Sequence, residues 1–311
     1  MEEILRSFTG QLSWEPRVEN SGQLVKAARV FFCGMGGSRL AGDLVRAALP
    51  TRDIIIHADF GVPLHADKDS LVVVSSYSGN TEEALDAFKE AQKRGIPTAV
   101  IVGGGKLLEL ARRENVPTVE IPGKGFPPRL AVGYSVKALL SLIGEKRSLQ
   151  ELSSTSIPDT LAEDGNILAA RLKNTIPLIY ASRQMGGLAY YWKVVLNETA
   201  KVHAFANIFP EAGHNEIEGF DGALDARFTC VILRDTGDDP RLAKRMELLA
   251  RLCEQKKIPT ASLTLAGAHA WERVMRSVML ANWTAYHLAQ ARGVDPISTP
   301  LIEEWKRKLR G

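Results

Sequence analysis

The sequence predicts an α/β protein of two domains, each built on a parallel β-sheet with helices on both faces. Short apolar runs rich in β-branched residues alternate with amphipathic segments, as in parallel strands joined by crossover helices. A Met-Gly-Gly turn follows the first predicted strand of each half, at 35–37 and 185–187, which indicates a duplicated unit unless this short match is chance. The polar segment 145–165 separates the halves, so we predict domains at 1–150 and 151–311.

The first half alternates strands and helices after a polar helical lead-in at residues 1–28. Asn80 or Thr81 caps one predicted helix, which has acidic residues in its first turn and Gly95 after its end. Residues 122–129 form a loop rich in glycine and proline. The pattern predicts strands at 29–33, 54–57, 71–76, 97–102 and 116–121. It also predicts a helix that follows the glycine turn and ends at residue 48, and further helices at 81–94, 106–114 and 130–144.

The second half repeats this alternation. Its longest helix carries an apolar stripe, which indicates either core packing or a subunit contact. A C-terminal helix opens with Thr299 as N-cap and Pro300 as its first residue. The pattern predicts strands at 177–181, 228–234 and 259–263, and helices at 188–201, 240–257 and 270–292.

Composition argues against several classes of protein. The 311 residues carry a net charge of +3, which is too small to argue for nucleic-acid binding. The N-terminus lacks the pattern of a signal peptide, and no apolar run is long enough to cross a membrane. The 3 cysteines are odd in number and lack metal-ligand spacing. They indicate buried thiols in a reducing compartment, so we predict a cytoplasmic protein.

A hydroxyl-rich loop follows the strand at 71–76 and leads into a helix. Ser76, Ser78 and Thr81 can donate hydrogen bonds there, and the helix N-terminus adds free N–H groups. The loop has no lysine, so it is not a nucleotide P-loop. It suits a single phosphate monoester, although an ordinary capped turn has a similar composition.

A glycine-rich turn, Gly34 to Ser38, follows the first strand and lets a ligand or another backbone approach closely. It lacks the third spaced glycine of a dinucleotide-binding turn. The second strand also ends in His57 rather than in an acidic residue. We therefore do not expect NAD binding.

Four side chains are candidates for chemistry, and each has a plainer interpretation as a surface residue. Glu198 lies at the C-terminal end of a helix, where an acid is unfavourable, and is a candidate base. His214 lies in a glycine-containing turn and can move protons near neutral pH. Arg129 follows the fifth strand and can stabilise an anion. Lys306 lies in the C-terminal helix.

Several motifs, in their order along the chain, resemble a known family. The first two are similar to the sugar isomerase (SIS) domain. The whole series, closed by Thr299 and Lys306, resembles the bifunctional phosphoglucose/phosphomannose isomerases, which implies two SIS-type domains. The motifs are Gly34-Met35-Gly36-Gly37-Ser38, Ser76-Tyr77-Ser78-Gly79-Asn80-Thr81-Glu82-Glu83, Pro128-Arg129-Leu130-Ala131-Val132-Gly133-Tyr134, Asn197-Glu198-Thr199-Ala200-Lys201 and His214-Asn215-Glu216-Ile217-Glu218-Gly219-Phe220.

The resemblance implies how these residues act on a sugar 6-phosphate. Glu198 would move a proton between C1 and C2 through a cis-enediol(ate), and Arg129 would stabilise the developing charge. His214 and Lys306 would assist ring opening, with His214 supplied by the neighbouring subunit of a homodimer. Thr299 would leave room for the rotation that accepts the mannose epimer. No metal or cofactor is implied. Ser38, Ser76, Ser78 and Thr81 would hold the sugar phosphate, and Gly36 and Gly37 are also implied to bind substrate.

Two positions depart from the family pattern, and three other functions compete. Arg39 replaces a small residue and either contacts phosphate or points into solvent, and Thr199 stands where asparagine is usual. A sugar-phosphate sensor without catalytic activity would need a DNA-binding segment, for which residues 1–28 are too short. An amidotransferase-type glucosamine 6-phosphate synthase would need an N-terminal glutaminase half, which the sequence lacks. An isomerase acting on glucose 6-phosphate alone or on mannose 6-phosphate alone is the remaining alternative.

Overall fold

Two separate parallel β-sheets form the framework, in a computed structural model that describes residues 1–122, 125–222 and 227–309. The first sheet has the strand order β2-β1-β3-β4-β5, and the second has the order β7-β6-β8-β9. The strands are β1 Arg29–Gly34, β2 Asp53–His57, β3 Ser70–Ser76, β4 Thr98–Val102, β5 Thr118–Glu120, β6 Ile176–Ser182, β7 Phe205–Phe209, β8 Phe228–Asp235 and β9 Thr260–Leu265.

Helices connect the strands and cover the sheets. Nearly every predicted helix is present with ends shifted by one or two residues, although residues 123–124 of the predicted loop lie outside the described parts. The helices are α1 Glu2–Arg6, α2 Thr9–Ser13, α3 Gly36–Ala48, α4 Glu82–Lys93, α5 Gly105–Arg113, α6 Val132–Leu142, α7 Lys146–Ser153, α8 Leu161–Leu172, α9 Gly186–Ala200, α10 Ala212–Asn215, α11 Pro240–Gln255, α12 Ala270–Arg292 and α13 Pro300–Leu309.

Alternate residues of each strand pack on opposite faces of its sheet. In β1, Phe32 joins the apolar cluster under α3 and α6, whereas Phe31 joins a second cluster with α4 and α5. In β6, Ile179 and Tyr180 divide in the same way between α9 and the layer that contains α11. The predicted α/β class, with parallel sheets covered on both faces, is therefore confirmed.

One core runs between the two sheets. It joins α3 and α6 of the first half to α8, α9 and α12 of the second, with Trp192 and Trp271 fully buried. The segment 1–28, which was predicted as a polar helical lead-in, also contributes to this core, since Leu5, Phe8 and Leu12 are buried in it. None of the helices in the described residues is long and apolar enough to span a membrane.

The strand β7 and the helices α7, α8 and α10 were not predicted from the sequence. Both α7 and α8 fall in the polar segment 145–165 or extend from it, and α8 contains Gly165, which the backbone of Trp283 and Thr284 approaches closely. The strand β7 lies at a sheet edge and is half exposed, so its pattern is weak. The helix α7 spans the predicted boundary between residues 150 and 151. The division into domains at this point stays a prediction.

Candidate active site

Two loops meet at the carboxyl ends of the adjacent strands β1 and β3, where ligands bind in open parallel sheets. The glycine turn after β1 leads into α3, which begins at Gly36 with a backbone φ of +50°. Ser38 Oγ accepts a hydrogen bond from the backbone N–H of Tyr77, at 2.9 Å. This bond fixes the glycine turn against the hydroxyl-rich loop.

The hydroxyls of the second loop are ordered by bonds within the loop. Ser76 Oγ donates to Thr81 Oγ1 at 3.1 Å and accepts from the N–H of Gly79 at 3.1 Å. Ser78 is exposed, and its Oγ accepts from the N–H of Asn80 at 3.2 Å. Thr81 is the N-cap of α4 as predicted, but its side chain accepts no N–H of that helix. The first turn of α4 therefore keeps free N–H groups for an anion.

The hydroxyl-rich loop also contacts the loop after β4. Gly79 has a φ of +67°, and a Cβ atom there would lie 1.8 Å from the carbonyl oxygen of Gly104. Only glycine combines this backbone conformation with this approach. Sequence reasoning placed an anion site here but missed the role of Gly104, for which the run Gly103-Gly104-Gly105 after β4 was the available signal.

Arg129 lies beside the glycine turn and is buried. A Cβ atom on Gly37 would lie 2.8 Å from the backbone nitrogen of Arg129, and the arginine side chain is 1% exposed. The interpretation of Arg129 as a surface residue is therefore wrong. Burial lowers the pKa of Arg129, and the nearby Glu198 carboxylate acts in the opposite direction.

Arg129 and Glu198 form an ion pair between the two halves of the chain. Arg129 Nη1 donates to Glu198 Oε2 at 3.2 Å, and Arg129 Nε donates to the Thr199 hydroxyl at 2.9 Å. Glu198 lies near the C-terminal end of α9 with 21% of its side chain exposed. Within the described residues, Glu198 Oε1 accepts no hydrogen bond, and the side chain is partly accessible to solvent.

The segment 294–299, which we call the strap, connects α12 to α13 across this ion pair. Arg129 Nη2 donates to the carbonyl oxygens of Pro296 at 2.7 Å and Ile297 at 3.1 Å. Lys201 Nζ donates to the carbonyl oxygen of Ser298 at 2.6 Å. Thr299 ends the strap, and it is half-buried. The backbone contacts of Arg129 and Lys201 therefore hold the three residues directly before the predicted residue Thr299.

Two predicted residues lie apart from this ion pair. His214 is exposed on α10, and within the described residues its side chain makes no hydrogen bond to Glu198 or Arg129. Lys306 is exposed on α13 and pairs with Glu303 at 3.0 Å. One copy of the chain therefore assembles Arg129 with Glu198 but not His214 or Lys306.

Arg39 does not point into solvent, and a contact with phosphate stays a prediction. Its Nε donates to the buried Asp43 carboxylate at 2.8 Å, and its guanidinium lies 4.2 Å from the ring centroid of Tyr190. Tyr190 belongs to α9, so Arg39 joins the helix that begins at the glycine turn to the helix that carries Glu198. Burial raises the pKa of Asp43, while Arg39 and Arg46 act against that rise.

Sequence reasoning also missed a buried support for Arg129. The Tyr191 hydroxyl donates to the backbone carbonyl oxygen of Arg129 at 3.4 Å and accepts from Asn282 at 2.7 Å. Burial raises the pKa of Tyr191, which keeps the phenol protonated as a donor. The polar Asn282 within the apolar stripe of α12 was the only sequence signal for this support.

Known proteins are similar to this chain along nearly its full length. A protein from Aquifex aeolicus called bifunctional phosphoglucose/phosphomannose isomerase is 32% identical, over 100% of this chain and 99% of that protein. The chain belongs to this family. Residues 162–309 also match a family model described as the bacterial phospho-glucose isomerase C-terminal SIS domain. The resemblance seen in the motifs, and the expectation of an enzyme of this isomerase family, are therefore confirmed.

Two further comparisons define how far the likeness extends. A D-glucosamine-6-phosphate 4-epimerase from Sulfolobus acidocaldarius is 30% identical, but over only 67% of this chain and 69% of that protein. Among solved structures, the C-terminal domain of glucosamine-fructose-6-phosphate aminotransferase from Francisella tularensis has a TM-score of 0.66 at 16% identity, covering 96% of both chains. The structural match supports the SIS fold alone.

Proposed function

We propose that this protein interconverts glucose 6-phosphate or mannose 6-phosphate with fructose 6-phosphate, without a metal or other cofactor. The observation that carries the proposal is the Arg129–Glu198 pair beside the glycine turn and the hydroxyl-rich loop. Aldose–ketose isomerisation needs a phosphate anchor, a base and an anion stabiliser at one place. These residues supply all three groups.

The phosphate anchor consists of the two loops at the ends of β1 and β3. Gly36, Gly37 and Ser38 supply a turn without bulky side chains, and the free N–H groups at the start of α4 attract an anion. The hydroxyls of Ser76, Ser78 and Thr81 can rotate to donate to phosphate oxygens. Binding the phosphate here holds the opened sugar in position for the proton transfer.

Glu198 is the base in this proposal. Its unpaired Oε1 removes the proton from C2 of the open aldose and returns it to C1, through a cis-enediol(ate). Arg129 has five N–H groups, of which four are bound to Thr199, Glu198 and two strap carbonyls. The remaining Nη1 hydrogen has no protein acceptor among the described residues, so it can donate to the sugar oxygen on which charge develops.

Ring opening requires acid and base groups that one copy of the chain does not place at the ion pair. We assign this step to Lys306 and to His214 of the partner subunit in a homodimer. The exposure of His214 supports this assignment, since a histidine at the surface is accessible to a second copy. Thr299 is assigned to the selection between epimers, because the strap places it near Glu198. The three free, buried cysteines fit a reducing cytoplasm.

The test is a coupled assay in EDTA that follows fructose 6-phosphate formation from each aldose separately. We expect turnover of both sugars. Turnover of glucose 6-phosphate alone would remove the dual specificity and the role of Thr299. Tight binding of a sugar phosphate without turnover would indicate a sensor rather than an enzyme. Turnover that is present without EDTA and lost when EDTA is added would contradict metal independence.

The shared site has its own test. Glu198→Gln and His214→Ala homodimers are mixed under conditions in which subunit exchange is verified by mass. A hybrid dimer contains one site with both wild-type residues, so we expect partial recovery of turnover. If exchange occurs and no activity returns, each site is self-contained.

A second candidate is epimerisation at C4 of an amino sugar phosphate. The similarity to the 4-epimerase over 67% of this chain favours it. Proton NMR of glucosamine 6-phosphate incubated with the protein distinguishes the two reactions. Appearance of the C4 epimer, with no fructose 6-phosphate formed from either aldose, would establish this candidate in place of the isomerase.

A further inference from the structure

We propose that Lys201 is a positioning residue, whose ammonium group ties the end of the helix carrying Glu198 to the strap and so holds Thr299 and α13 in register with the base. This inference rests on the isomerase function proposed above. Lys201 belongs to the matched motif around Glu198, but no role follows for it from that motif.

The first observation is that Lys201 bridges two backbone segments. It directly follows α9 in the left-handed conformation, with a φ of +54°. Its Nζ donates to the carbonyl oxygen of Glu198 and, at 2.6 Å, to that of Ser298. One ammonium group therefore joins the peptide unit of the proposed base to the peptide unit that immediately precedes Thr299.

The second observation is that the strap is bound at every consecutive peptide unit from 296 to 298. Arg129 binds the carbonyl oxygens of Pro296 and Ile297, and Lys201 binds that of Ser298. The Asp295 carboxylate accepts from the N–H groups of Ile297 at 2.9 Å and Ser298 at 3.3 Å. Both cations also bind Glu198, Arg129 at its side chain and Lys201 at its backbone.

The third observation is that packing within this chain does not hold α13. The described part of this helix contains no buried residue, and Leu301 and Trp305 are 79% and 67% exposed. The strap is thus the described attachment of α13 to the body of the chain. A strap fixed relative to Glu198 also fixes where Thr299 and the start of α13 lie.

The electrostatic environment makes a second cation unfavourable here. Burial and the nearby Arg129 lower the pKa of Lys201, whereas Asp295 and Glu198 favour its charged form. A charged donor binds carbonyl oxygens more strongly than a neutral donor does. The charged form of Lys201 is therefore destabilised by burial and by Arg129, and its two hydrogen bonds to carbonyl oxygens act against this destabilisation.

The test compares Lys201→Met with Lys257→Met in the full-length protein. Lys257 is a matched control, because it also follows a helix with a φ of +58° and is exposed away from the strap. For Lys201→Met we expect kcat to fall by about tenfold to a hundredfold with KM changed by less than about threefold, since misplacing catalytic groups affects the reactive geometry. The control is expected to retain wild-type kinetics, and Lys201→Arg to recover most of the loss.

Hydrogen–deuterium exchange of residues 294–299 gives a readout that does not depend on activity. We expect exchange there to be accelerated about tenfold or more in Lys201→Met and unchanged in the control. Lys201→Gly removes the ammonium group while favouring the left-handed backbone, so it provides the same test if Lys201→Met does not fold.

The outcomes separate this inference from the proposed isomerase function. If the wild type turns over neither aldose, the isomerase proposal fails, and exchange in the strap still decides whether Lys201 holds it. Unchanged exchange in Lys201→Met overturns the inference. Faster exchange with unchanged kcat in a folded Lys201→Met also overturns it, because Lys201 would then be structural alone.

Discussion

The two halves of the chain share a strand order but differ in the loops at equivalent positions. Removing β5 from the first sheet leaves the order β2-β1-β3-β4, which matches β7-β6-β8-β9. The end of β3 and the loop after it carry the hydroxyls of Ser76 and Ser78, whereas the end of β8 and its loop carry Asp235, Asp238 and Asp239. A duplicated framework therefore carries neutral hydroxyls at one loop and carboxylates at the equivalent loop of the other half.

The acidic loop serves its own local structure. Asp235 pairs with Arg273 at 2.6 Å, and Asp238 Oδ2 accepts from the N–H of Asp235 at 3.0 Å. Asp239 is the N-cap of α11 and accepts from the N–H of Arg241 at 2.8 Å. The bonds with Arg241 lower the pKa of Asp239 to about 2. These carboxylates thus stabilise a helix start and its surroundings rather than a ligand.

The repeated glycine turns differ in the same way. Gly37 lies against the backbone of Arg129, whereas a Cβ atom on Gly187 would lie 2.5 Å from the carbonyl oxygen of Asp43 in α3. The first turn lets the backbone of Arg129 approach, and the second lets α9 pack closely on α3. The motif therefore indicates a close approach in both halves, but only the surrounding chain decides what approaches.

The largest effect is expected from changing Glu198, the residue that the second half contributes to the ion pair. Glu198→Gln keeps the size of the side chain but cannot accept the substrate proton, so we expect kcat to fall by about 10³-fold, within the usual range for a general base. The coupled assay measures the rate, and calorimetry with 5-phosphoarabinonate checks that a sugar phosphate still binds. A residual rate above a tenth of wild type would remove Glu198 as the base.

The next largest effect is expected from a substitution that makes the hydroxyl-rich loop after β3 resemble the acidic loop after β8. Ser78→Asp places a carboxylate beside the proposed phosphate site, and charge repulsion is expected to raise KM by about a hundredfold with a smaller change in kcat. Ser154→Asp is the control, because Ser154 is an exposed serine on a distant turn. Equal KM values in the two variants would contradict a phosphate site at this loop.

A smaller effect concerns the contact between α3 and α9. Arg39→Met leaves the buried Asp43 carboxylate with Arg46 at 3.7 Å as its remaining cation. We expect a loss of about 2 kcal/mol in the free energy of unfolding, below the value for a fully buried pair because Arg39 is 25% exposed. Urea unfolding measures the loss. If adding Asp43→Asn restores no stability, the uncompensated carboxylate is not the cause.

The smallest expected effect concerns a buried cysteine in the apolar layer on the outer face of the first sheet, compared with the two cysteines in the equivalent layer of the second sheet. Cys33 is buried in the first layer, while Cys230 and Cys253 lie 3.4 Å apart in the second. Burial raises the pKa of the Cys33 thiol from 9.0 to about 12. The unfolded chain loses this proton first, so between pH 9 and pH 10 this thiol is expected to lower the free energy of unfolding by about 1 kcal/mol.

Urea titrations at these two pH values, for the wild type and Cys33→Ala, measure the contribution of Cys33. The wild type should lose more stability between them than the variant does. The same loss in both proteins would show that Cys33 does not contribute to the pH dependence.

The amino-acid sequence by itself was sufficient to predict the fold class, eight of the nine described strands and the hydroxyl-rich loop. These features depend on local patterns, namely buried β-branched runs, helix caps and glycine turns, which neighbouring residues largely determine. The motif order was also sufficient to identify the isomerase family. The edge strand β7 was missed because its half-exposed residues lack a clear pattern.

Tertiary structure decided which charged residues meet. Arg129 and Glu198 are 69 residues apart, and Arg129 lies 167 and 168 residues from Pro296 and Ile297, whose carbonyl oxygens it binds. Nothing in the local sequence shows that Arg129 is buried, that Arg39 turns towards Asp43 and Tyr190, or that Lys201 reaches Ser298. These contacts arise because α3 and α9 share one core, and packing between helices depends on the whole folded chain rather than on neighbours in sequence.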